Sequence, residues 1–573
     1  MKKVIEYLKQ YRFRMTIGLI IKIIGTVMDL AIPLILSYII DKIVPTKDVN
    51  KIIIVGSLMI VCSIVGLVGS ISANQMASKV AQLITTDLRH DLFEKIETLS
   101  AKQVDEVAVP SLVSRMSSDT YNVHQMIGMS QRIGVRAPIL LIGGIIVTLT
   151  LDPILTLVLL SVLPLVVFVI YYISKKGLPL FTKVQLAIDD FVRVIRENIT
   201  GIRVIKALSK EEYERNRFDK INKKLVDYEL SSQKTMIKLN PMINIFLNIG
   251  MVAVIVVGAY RVNGGKVLSG KVLAFITYFT IILNAMLSIT RIFIVFSKAT
   301  ASAERISYIM DLKSDLPIEN TNDNIISDDY IVFDNVSFSY NKNKEKNISH
   351  LSFSLKKGGR LGIIGPTGAG KSTIINLLMR FYDVDEGKIY IDGKNIKEYD
   401  FETLHKKFGV VFQNDMIFST DIQDNINLSR GLTEEEITEA SKVSQSYDFI
   451  MGCANGFNTE LSERGANLSG GQRQRLLITR ALANRPEILI LDDATSALDY
   501  KTESYLRKGL KEKYSDTTSI IVAQRVSSIR DCNKIIIIDE GNILGIGNHE
   551  ELMKKVKEYR EIYQLQTGGG LDE

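Results

Sequence analysis

The chain has 573 residues, of which 46% are hydrophobic, and a formal net charge of +7. This length exceeds one ordinary domain and favours two large units, and the modest charge gives no reason to expect a nucleic-acid partner. The three cysteines, Cys62, Cys453 and Cys532, have neither metal-site nor disulfide spacing and are typical of a reducing compartment.

Long apolar segments fill the first half of the chain. Residues 1–8 precede them and predict an interfacial helix rather than a signal peptide, because the next apolar segment is too long and has no cleavage site. Helices of roughly 20 apolar residues cross a bilayer, and Leu151-Asp152-Pro153 predicts a tight turn between two of them. We therefore predict six membrane-spanning helices, at residues 15–44, 52–72, 139–151, 154–173, 241–262 and 272–295.

Basic residues are distributed unevenly among the connections between these spans. Residues 175–240 are rich in Lys and Arg, whereas residues 45–51, 151–153 and 263–271 form short connections with few charges. Because cytoplasmic loops carry the excess of Lys and Arg, both termini and both long loops are predicted to be cytoplasmic. We expect a multi-pass protein of the cell membrane.

The two long loops, residues 78–131 and 175–240, have the apolar spacing of helices rather than of loops. We predict that the spans continue as long helices, with turns at 109–112 and 208–211 that could touch a second domain. Polar residues at 313–329 then mark a linker, and residues 331–333, 351–355 and 360–364 predict strands. The predicted boundaries are a membrane domain at 1–310, a linker at 311–330, an α/β domain at 331–565 and a flexible tail at 566–573.

A glycine-rich turn follows the strand predicted at 360–364 and precedes an apolar helical run that starts at Thr373. In this context it is a phosphate-binding loop, whose backbone N–H groups meet phosphates at a helix N-terminus. Lys371 would reach the β- and γ-phosphates of a nucleotide, and Ser372 would be a Mg²⁺ ligand. The loop comprises Gly365, Pro366, Thr367, Gly368, Ala369, Gly370, Lys371 and Ser372, and we count Thr373 with the ATP-binding residues.

Two further motifs follow. Asp492 ends the apolar stretch 488–491, where it could hold Mg²⁺ or merely cap a helix. Before it stands the run Leu468, Ser469, Gly470, Gly471 and Gln472, which opens a predicted helix at 473–483. In that order and spacing this run resembles the signature of the ATP-binding cassette (ABC) proteins. The resemblance covers the whole chain and implies six membrane helices with cytoplasmic extensions, joined to an α/β P-loop nucleotide-binding domain with a helical subdomain.

The resemblance also implies roles for residues at matching positions. Tyr340 resembles the aromatic residue that stacks on adenine, although a lone strand tyrosine could be core. Gln413 is similar to the family's Mg²⁺-sensing Gln, which makes Ser372, Gln413 and Asp492 the predicted metal residues. Ser496 and Asp499 belong to the loop that faces the other nucleotide across the dimer. Residues 459–465 resemble the segment that meets the intracellular loops of exporters, or else form a surface charge run.

The sequence departs from the family at two positions. Asp493 stands where a Glu usually polarises the attacking water, and Gln524 stands where the family has its switch His. The Asp carboxylate stops roughly 1.5 Å short, and a misplaced general base forfeits much of a contribution of about 10²–10⁴ in rate. Gln cannot share a proton. These changes predict a site that binds ATP but hydrolyses it slowly or not at all.

The intact signature and the altered hydrolytic residues together resemble one subunit of the heterodimeric bacterial multidrug exporters. This implies an unlike partner subunit, ATP and Mg²⁺ as cofactors, and alternating access as the mechanism. The alternatives are a homodimeric lipid or peptide exporter with slow hydrolysis, and a channel-like or regulatory ABC protein gated by ATP.

Polar residues inside the spans bear on the substrate. They are expensive facing lipid and are expected to line a cavity or to bond helices together. Asp29 is the foremost functional candidate, with Lys22 as its possible partner, and one acid in an apolar cavity favours lipophilic or cationic compounds. The residues concerned are Lys22, Asp29, Asn248, Asn284 and Arg291.

Overall fold

The computed structural model describes residues 2–319, 323–340 and 346–567. The chain forms two compact units. A helical unit comprises Met1–Glu97 and Val109–Leu312, and an α/β unit comprises Thr98–Ala108 and Lys313–Glu573. The segment Thr98–Ala108, although it lies between helices of the first unit in sequence, therefore packs as part of the second.

Long helices make up the helical unit. Among the described residues, six helical segments are long and apolar enough to cross a membrane, which confirms the predicted number of spans. The first eleven α-helices of the described residues, of which α4 belongs to the α/β unit, are α1 Lys2–Gln10, α2 Arg12–Tyr38, α3 Val49–Glu97, α4 Ala101–Val107, α5 Val109–Ser114, α6 Thr120–Leu151, α7 Pro153–Thr200, α8 Ile202–Ala207, α9 Glu211–Met236, α10 Leu239–Asn263 and α11 Ser269–Asp311.

The predicted turn between the third and fourth spans is confirmed. Helix α6 ends at Leu151 and α7 begins at Pro153, where a proline fits because the first helical residue needs no N–H partner. Between them, Asp152 accepts a hydrogen bond from the Leu155 N–H at 2.9 Å and forms an ion pair with Arg261 at 2.6 Å. One buried carboxylate thus caps α7 and fastens α10 to it.

The turn predicted at 109–112 is wrong, because this stretch is helix α5. Pro110 is compatible with the helix since it occupies the first turn, where no preceding carbonyl needs its missing N–H. The breaks lie on either side of α4, at Ser100, which forms a reciprocal cap with Gln103, and at Ala108, whose φ is +65°. The second predicted turn is confirmed at Leu208–Lys210, ahead of α9.

Helix α4 is fastened within the α/β unit by side-chain contacts. Gln103 is buried, and its amide donates to the Lys313 carbonyl at 2.7 Å. The hydroxyl of Tyr382, a buried member of the α/β core, donates to Asp105. Both connections to the helical unit, the segment around α4 and the chain after α11, therefore meet in one place on the α/β unit.

Two sheets build the α/β unit. One is antiparallel with the strand order β2-β1-β4-β5, and the other has the order β10-β9-β3-β8-β7-β6, in which all neighbours are parallel except β10 with β9. The strands predicted at 331–333, 351–355 and 360–364 fall within the first three. The strands are β1 Ile331–Phe338, β2 Ile348–Leu355, β3 Arg360–Ile364, β4 Glu386–Ile391, β5 Lys394–Asn395, β6 Phe408–Val411, β7 Ile488–Asp492, β8 Thr518–Val522, β9 Lys534–Asp539 and β10 Asn542–Gly547.

Helices cover the mainly parallel sheet and form a second apolar cluster beside it. This cluster includes the buried face of the helix that follows the signature run and supplies the predicted helical subdomain. The predicted flexible tail is wrong at Gln566 and Thr567, which belong to the last helix, and residues 568–573 lie outside the described part. The helices are α12 Lys371–Leu378, α13 Phe401–Lys406, α14 Ile422–Asn427, α15 Glu434–Val443, α16 Tyr447–Met451, α17 Gly470–Leu482, α18 Tyr500–Lys513, α19 Val526–Ile529, α20 His549–Lys555 and α21 Lys557–Thr567.

Candidate nucleotide-binding site

The phosphate loop joins buried strand β3 to helix α12, at the edge where parallel strands end and open sheets bind ligands. Glycine is required at two of its positions. A Cβ on Gly365 would lie 2.0 Å from the Ile538 carbonyl oxygen, and Gly370 has a φ of +103°. The backbone therefore stays close to the sheet and turns directly into α12, with Pro366, Thr367 and Gly368 exposed at the mouth and Ala369 buried.

Lys371 folds back over the loop. Its ammonium donates to the carbonyls of Gly365 and Pro366 at 2.8 and 2.7 Å. Burial lowers the pKa of Lys371, which Asp492 and Asp493 partly offset. The loop carbonyls thus hold the ammonium where a nucleotide's phosphates would approach the N-terminus of α12.

The predicted metal residues are brought together. Ser372 donates to Asp492 at 2.7 Å, and both line a cavity of about 170 Å³ with Gln413. Asp492 is nearly buried at the end of β7, and this burial raises its pKa. Hydroxyl, carboxylate and amide oxygens in one cavity fit the hard oxygen ligands that Mg²⁺ prefers. Thr373, also predicted, lines the same cavity.

Asp493 and Gln524, the two departures from the family pattern, contact each other. The amide of Gln524 donates to the Asp493 carboxylate at 3.0 Å, and both residues line the same cavity as the phosphate loop. Asp493 has a φ of +54°, and its N–H bonds the Val522 carbonyl at 3.0 Å, which fixes its direction at the end of β7. Burial raises the pKa of Asp493, while Lys371 and Gln524 oppose that rise.

The signature run begins helix α17. Ser469 is the N-cap, and its hydroxyl and backbone N–H pair reciprocally with Gln472. Leu468, Gly470 and Gly471 complete the run, and none of its five residues is among the described residues that line the phosphate-loop cavity. The run therefore stands apart from this chain's own nucleotide site, in keeping with its predicted use by another subunit.

The predicted residues of the loop that follows β7 are also placed. The Ser496 hydroxyl donates to the Asp493 carbonyl at 3.0 Å, and Asp499 caps α18 through the N–H groups of Lys501 and Thr502. Gln474 of α17 reaches this loop, donating to Ser496 at 3.1 Å and accepting from the Ala497 N–H at 2.8 Å. The helix of the signature is thus fastened to the loop that carries Asp493.

Tyr340 lies just after β1 and keeps 45% of its surface exposed, so it is not a core tyrosine. Its hydroxyl accepts from Asn376 of α12 at 3.0 Å, and its ring meets Tyr382 edge-on at 5.0 Å between centroids. An exposed ring held in place beside the phosphate loop is suited to stacking on a base, which stays a prediction.

The predicted exporter segment at 459–465 packs within the helical subdomain. The Leu461 N–H bonds the Thr420 carbonyl at 2.9 Å, and the chain turns at Arg464, whose φ is +57°. The Glu460 carbonyl accepts a hydrogen bond from the side-chain amide of Asn467 at 3.2 Å, just before the signature. The segment thus has a defined conformation and leads into α17. Its contact with the intracellular loops stays a prediction.

Sequence reasoning missed Gln566, which reaches the site from the final helix α21. Its amide donates to the Gln524 carbonyl at 2.7 Å and accepts from the Val526 N–H at 2.8 Å. These two bonds hold the backbone on both sides of Arg525. No sequence motif marks Gln566, because its partners lie about 40 residues earlier and the contact depends on how α21 packs.

Six apolar helical segments and a P-loop α/β unit with a signature helix define an ATP-driven membrane transporter. Comparison with known families agrees: residues 15–286 match the ABC transporter transmembrane region and residues 348–496 match the ABC transporter family. The chain belongs to the ABC transporter family and is a multi-pass membrane protein with an ATPase domain of the exporter type.

Whole-length relatives support this assignment. The chain is 32% identical to the Bacillus subtilis (strain 168) ABC transporter ATP-binding protein YfiB, itself uncharacterized, over 99% of both chains. It is also 32% identical, over 99% of this chain and 100% of the relative, to a Staphylococcus aureus (strain NCTC 8325 / PS 47) protein with the provisional name of a multidrug export ATP-binding/permease protein. A solved structure of a bacterial Atm1-family ABC exporter with ATP bound shares the fold, with a TM-score of 0.83 at 24% identity, covering 97% of this chain and 98% of that one.

Proposed function

We propose that this chain is one subunit of a heterodimeric exporter. It binds ATP and Mg²⁺ at its own phosphate loop, hydrolyses that ATP slowly or not at all, and supplies its signature, Leu468 to Gln472, to the nucleotide site of an unlike partner subunit. The single observation that carries this proposal is the hydrogen bond of 3.0 Å between Gln524 and Asp493. The two altered residues satisfy each other, although neither is the family's usual group.

The site retains what is needed to bind the nucleotide. Lys371 and the loop N–H groups hold the phosphates, Tyr340 stacks on the base, and Ser372 and Asp492, with Gln413, hold Mg²⁺. When bound, Mg²⁺ neutralises charge that develops on the β- and γ-phosphates. The only part of this machinery that departs from the family pattern is the part that acts on water.

Asp493 is a poor general base for two reasons. Its carboxylate is one methylene shorter than that of Glu, so the attacking water would have to sit closer to β7. One of its oxygens also accepts from the Gln524 amide, which can orient a group but cannot take or return a proton. Both effects slow hydrolysis without weakening ATP binding.

The proposed arrangement uses ATP binding at both sites and turnover chiefly at one. ATP closes the pair of α/β units, the long helices transmit the movement, and hydrolysis at the partner's site resets the transporter. The termini and the α/β unit are cytoplasmic in this proposal, because the basic residues lie in the long loops. The Staphylococcus aureus relative's name supports drugs or other lipophilic compounds as cargo.

The test is the ATPase activity of the purified chain alone and together with a co-expressed unlike half-transporter. We expect the chain alone to bind ATP but to turn it over at least tenfold more slowly than the pair. A lone chain that hydrolyses ATP as fast as the pair would contradict the proposal and favour the homodimeric exporter. A pair that hydrolyses ATP but moves no compound across vesicles would favour the channel-like alternative.

A further inference from the structure

Charged side chains cluster where helices α2, α3 and α6 pack together, and the proposed function does not use them. Lys22 on α2 is only 4% exposed, and its ammonium donates to Ser70 at 2.9 Å and Asn74 at 3.0 Å on α3. Both partners are neutral. The charge of this lysine is therefore solvated by hydrogen bonds but has no anion bonded to it.

The remaining charges nearby do not balance it. Arg136 of α6 pairs with Asp29 of α2 at 3.0 Å, while the Arg132 guanidinium donates to the Gly128 carbonyl of its own helix at 3.0 Å. The charged groups beside Lys22 include Arg132, Arg136 and Asp29. Three cations and one acid give a net charge of +2, and the two guanidiniums alone outnumber the carboxylate, since arginine stays protonated in proteins.

We call Lys22, Asp29, Arg132 and Arg136 the inner basic cluster because of its depth. Arg132 precedes the outer turn at Leu151 by about 20 residues, or roughly 30 Å of helix, which is the thickness of the hydrocarbon core. Lys22 lies at a similar distance from the C-terminal end of α2, and Ser70 lies at a similar distance from the N-terminal end of α3. With the proposed orientation, the cluster lies at the inner edge of the bilayer.

Uncompensated basic groups between membrane helices at this depth call for an anion. Charges there are costly unless paired, and basic pockets on the cytoplasmic side of membrane helices bind anionic head groups. The cluster is open to a ligand because the side chains of Arg136 and Asp29 are 46% and 32% exposed. Ile23 and Val27, which lie between Lys22 and Asp29 in the sequence of α2, are exposed apolar side chains that an acyl or similar tail would contact.

We infer that the inner basic cluster binds the anionic head group of an amphiphile, a carboxylate, sulfonate or phosphate joined to an apolar body. This inference rests on the proposed function and narrows its substrate class. The sequence argument for a cationic substrate rested on Asp29, but that carboxylate is already paired with Arg136. Hydrogen bonding between helices accounts for Lys22, but it leaves Arg132 without an anion, because Asp29 is already paired with Arg136.

The test uses the complete two-subunit transporter in nanodiscs of phosphatidylcholine, without ATP, and measures binding of taurocholate by equilibrium dialysis. We expect Arg132→Gln with Arg136→Gln to raise the dissociation constant about tenfold. Arg215→Gln, an exposed arginine of α9 outside the cluster, is the matched control and should leave it unchanged. Equal affinity in the double variant and the unmodified protein would overturn the inference.

A second variant keeps the test decisive if the double variant does not fold. Asp29→Asn removes the one acid and keeps all three cations, so taurocholate should bind more tightly; unchanged or weaker binding would overturn the inference. Repeating the dialysis in phosphatidylglycerol nanodiscs identifies the source of the head group. If phosphatidylglycerol displaces taurocholate and taurocholate is not exported with ATP, the site holds a membrane lipid; if taurocholate is exported, it is the substrate site.

The outcomes also separate this inference from the proposed function. If the transporter hydrolyses ATP only as a pair and exports tetraphenylphosphonium, a lipophilic cation, but never binds taurocholate, the cluster inference fails and the heterodimeric exporter stands. If taurocholate binds through Arg132 and Arg136 but the lone chain is fully active as an ATPase, the cluster stands and the heterodimer fails.

Discussion

At the scale of single residues, the contact between Gln524 and Asp493 makes the two departures from the family pattern one feature. The Gln524 amide donates a hydrogen bond to the Asp493 carboxylate. The Asp493 backbone has a φ of +54°, and its N–H bonds the Val522 carbonyl. A change at either residue therefore disturbs the other, and a restored general base needs both positions.

We expect the double variant Asp493→Glu with Gln524→His to hydrolyse ATP at least tenfold faster than the unmodified chain. The longer carboxylate would reach the water, and the imidazole would replace a group that cannot exchange protons. Steady-state phosphate release by the purified chain alone measures the effect. Asp493→Asn with Gln524→His is the matched control and should stay slow; no gain from the Glu variant, with ATP binding intact, would place the limit elsewhere.

Lys371 gives a second prediction at this scale. Replacing Lys371 by Met removes the ammonium that sits against the loop carbonyls, and we expect ATP binding to weaken at least tenfold. Titration with a fluorescent ATP analogue measures the affinity. Lys356→Met, an exposed lysine of the same unit, is the control and should bind as the unmodified chain does. Undiminished binding by the Lys371 variant would argue against the assigned phosphate site.

At the scale of elements, helix α21 holds the segment that carries Gln524. Gln566 contacts the backbone on both sides of Arg525, and α21 is itself anchored by the fully buried Tyr559, whose hydroxyl hydrogen-bonds His549 at 2.9 Å. Helix α21 thus supports the segment that carries Gln524, one of the residues that line the phosphate-loop cavity.

Removing the Gln566 side chain should loosen this segment. Gln566→Ala leaves the Val526 N–H without its acceptor, and the loss of roughly 1 kcal/mol for that hydrogen bond corresponds to about a fivefold faster local exchange. Hydrogen–deuterium exchange of a peptide covering residues 524–526 measures this change. Gln564→Ala on the same helix is the control; equal exchange in both variants would show that α21 does not hold the segment.

The elements also show where sequence reasoning succeeds. Apolar spans, strands β1 to β3 and the phosphate loop were predictable, because each is encoded in adjacent residues through hydropathy, alternation or glycine spacing. The turn placed at 109–112 was wrong because Pro110 is acceptable in a first helical turn, whereas the true breaks depend on the Ser100 cap and on a left-handed Ala108. Gln566 was unpredictable because its partners are distant in sequence.

At the scale of the whole molecule, we propose that the nucleotide site and the signature of the chain do not serve each other. The signature run is absent from the described lining of the phosphate-loop cavity. In the proposed function, a single chain therefore cannot form a complete hydrolytic site. Substitutions in its nucleotide site and substitutions in its signature should have different effects.

That asymmetry can be measured in the two-subunit transporter. We expect Ser469→Arg, which places a bulky charge at the N-cap of α17, to lower ATP turnover by the pair more than tenfold, because it alters the partner's site. Lys371→Met should reduce turnover less, since it weakens the ATP binding that helps to close the pair but leaves the proposed hydrolysing site intact. Phosphate release by the reconstituted pair provides the measurement, and the reverse order of effects would contradict the assigned division of labour.

The position of helix α4 has a mechanical consequence. The chain enters the α/β unit at Thr98, leaves it at Ala108 and returns at Lys313, and the Gln103 amide bonds the Lys313 carbonyl at 2.7 Å. The three points at which the chain passes between the units therefore lie close to α4. Asp105 of α4 accepts a hydrogen bond from the Tyr382 hydroxyl, and the Tyr382 ring in turn contacts the Tyr340 ring. The Tyr340 ring, on which we propose that the base stacks, is therefore only two side chains away from α4, the segment that lies between two of the three crossings.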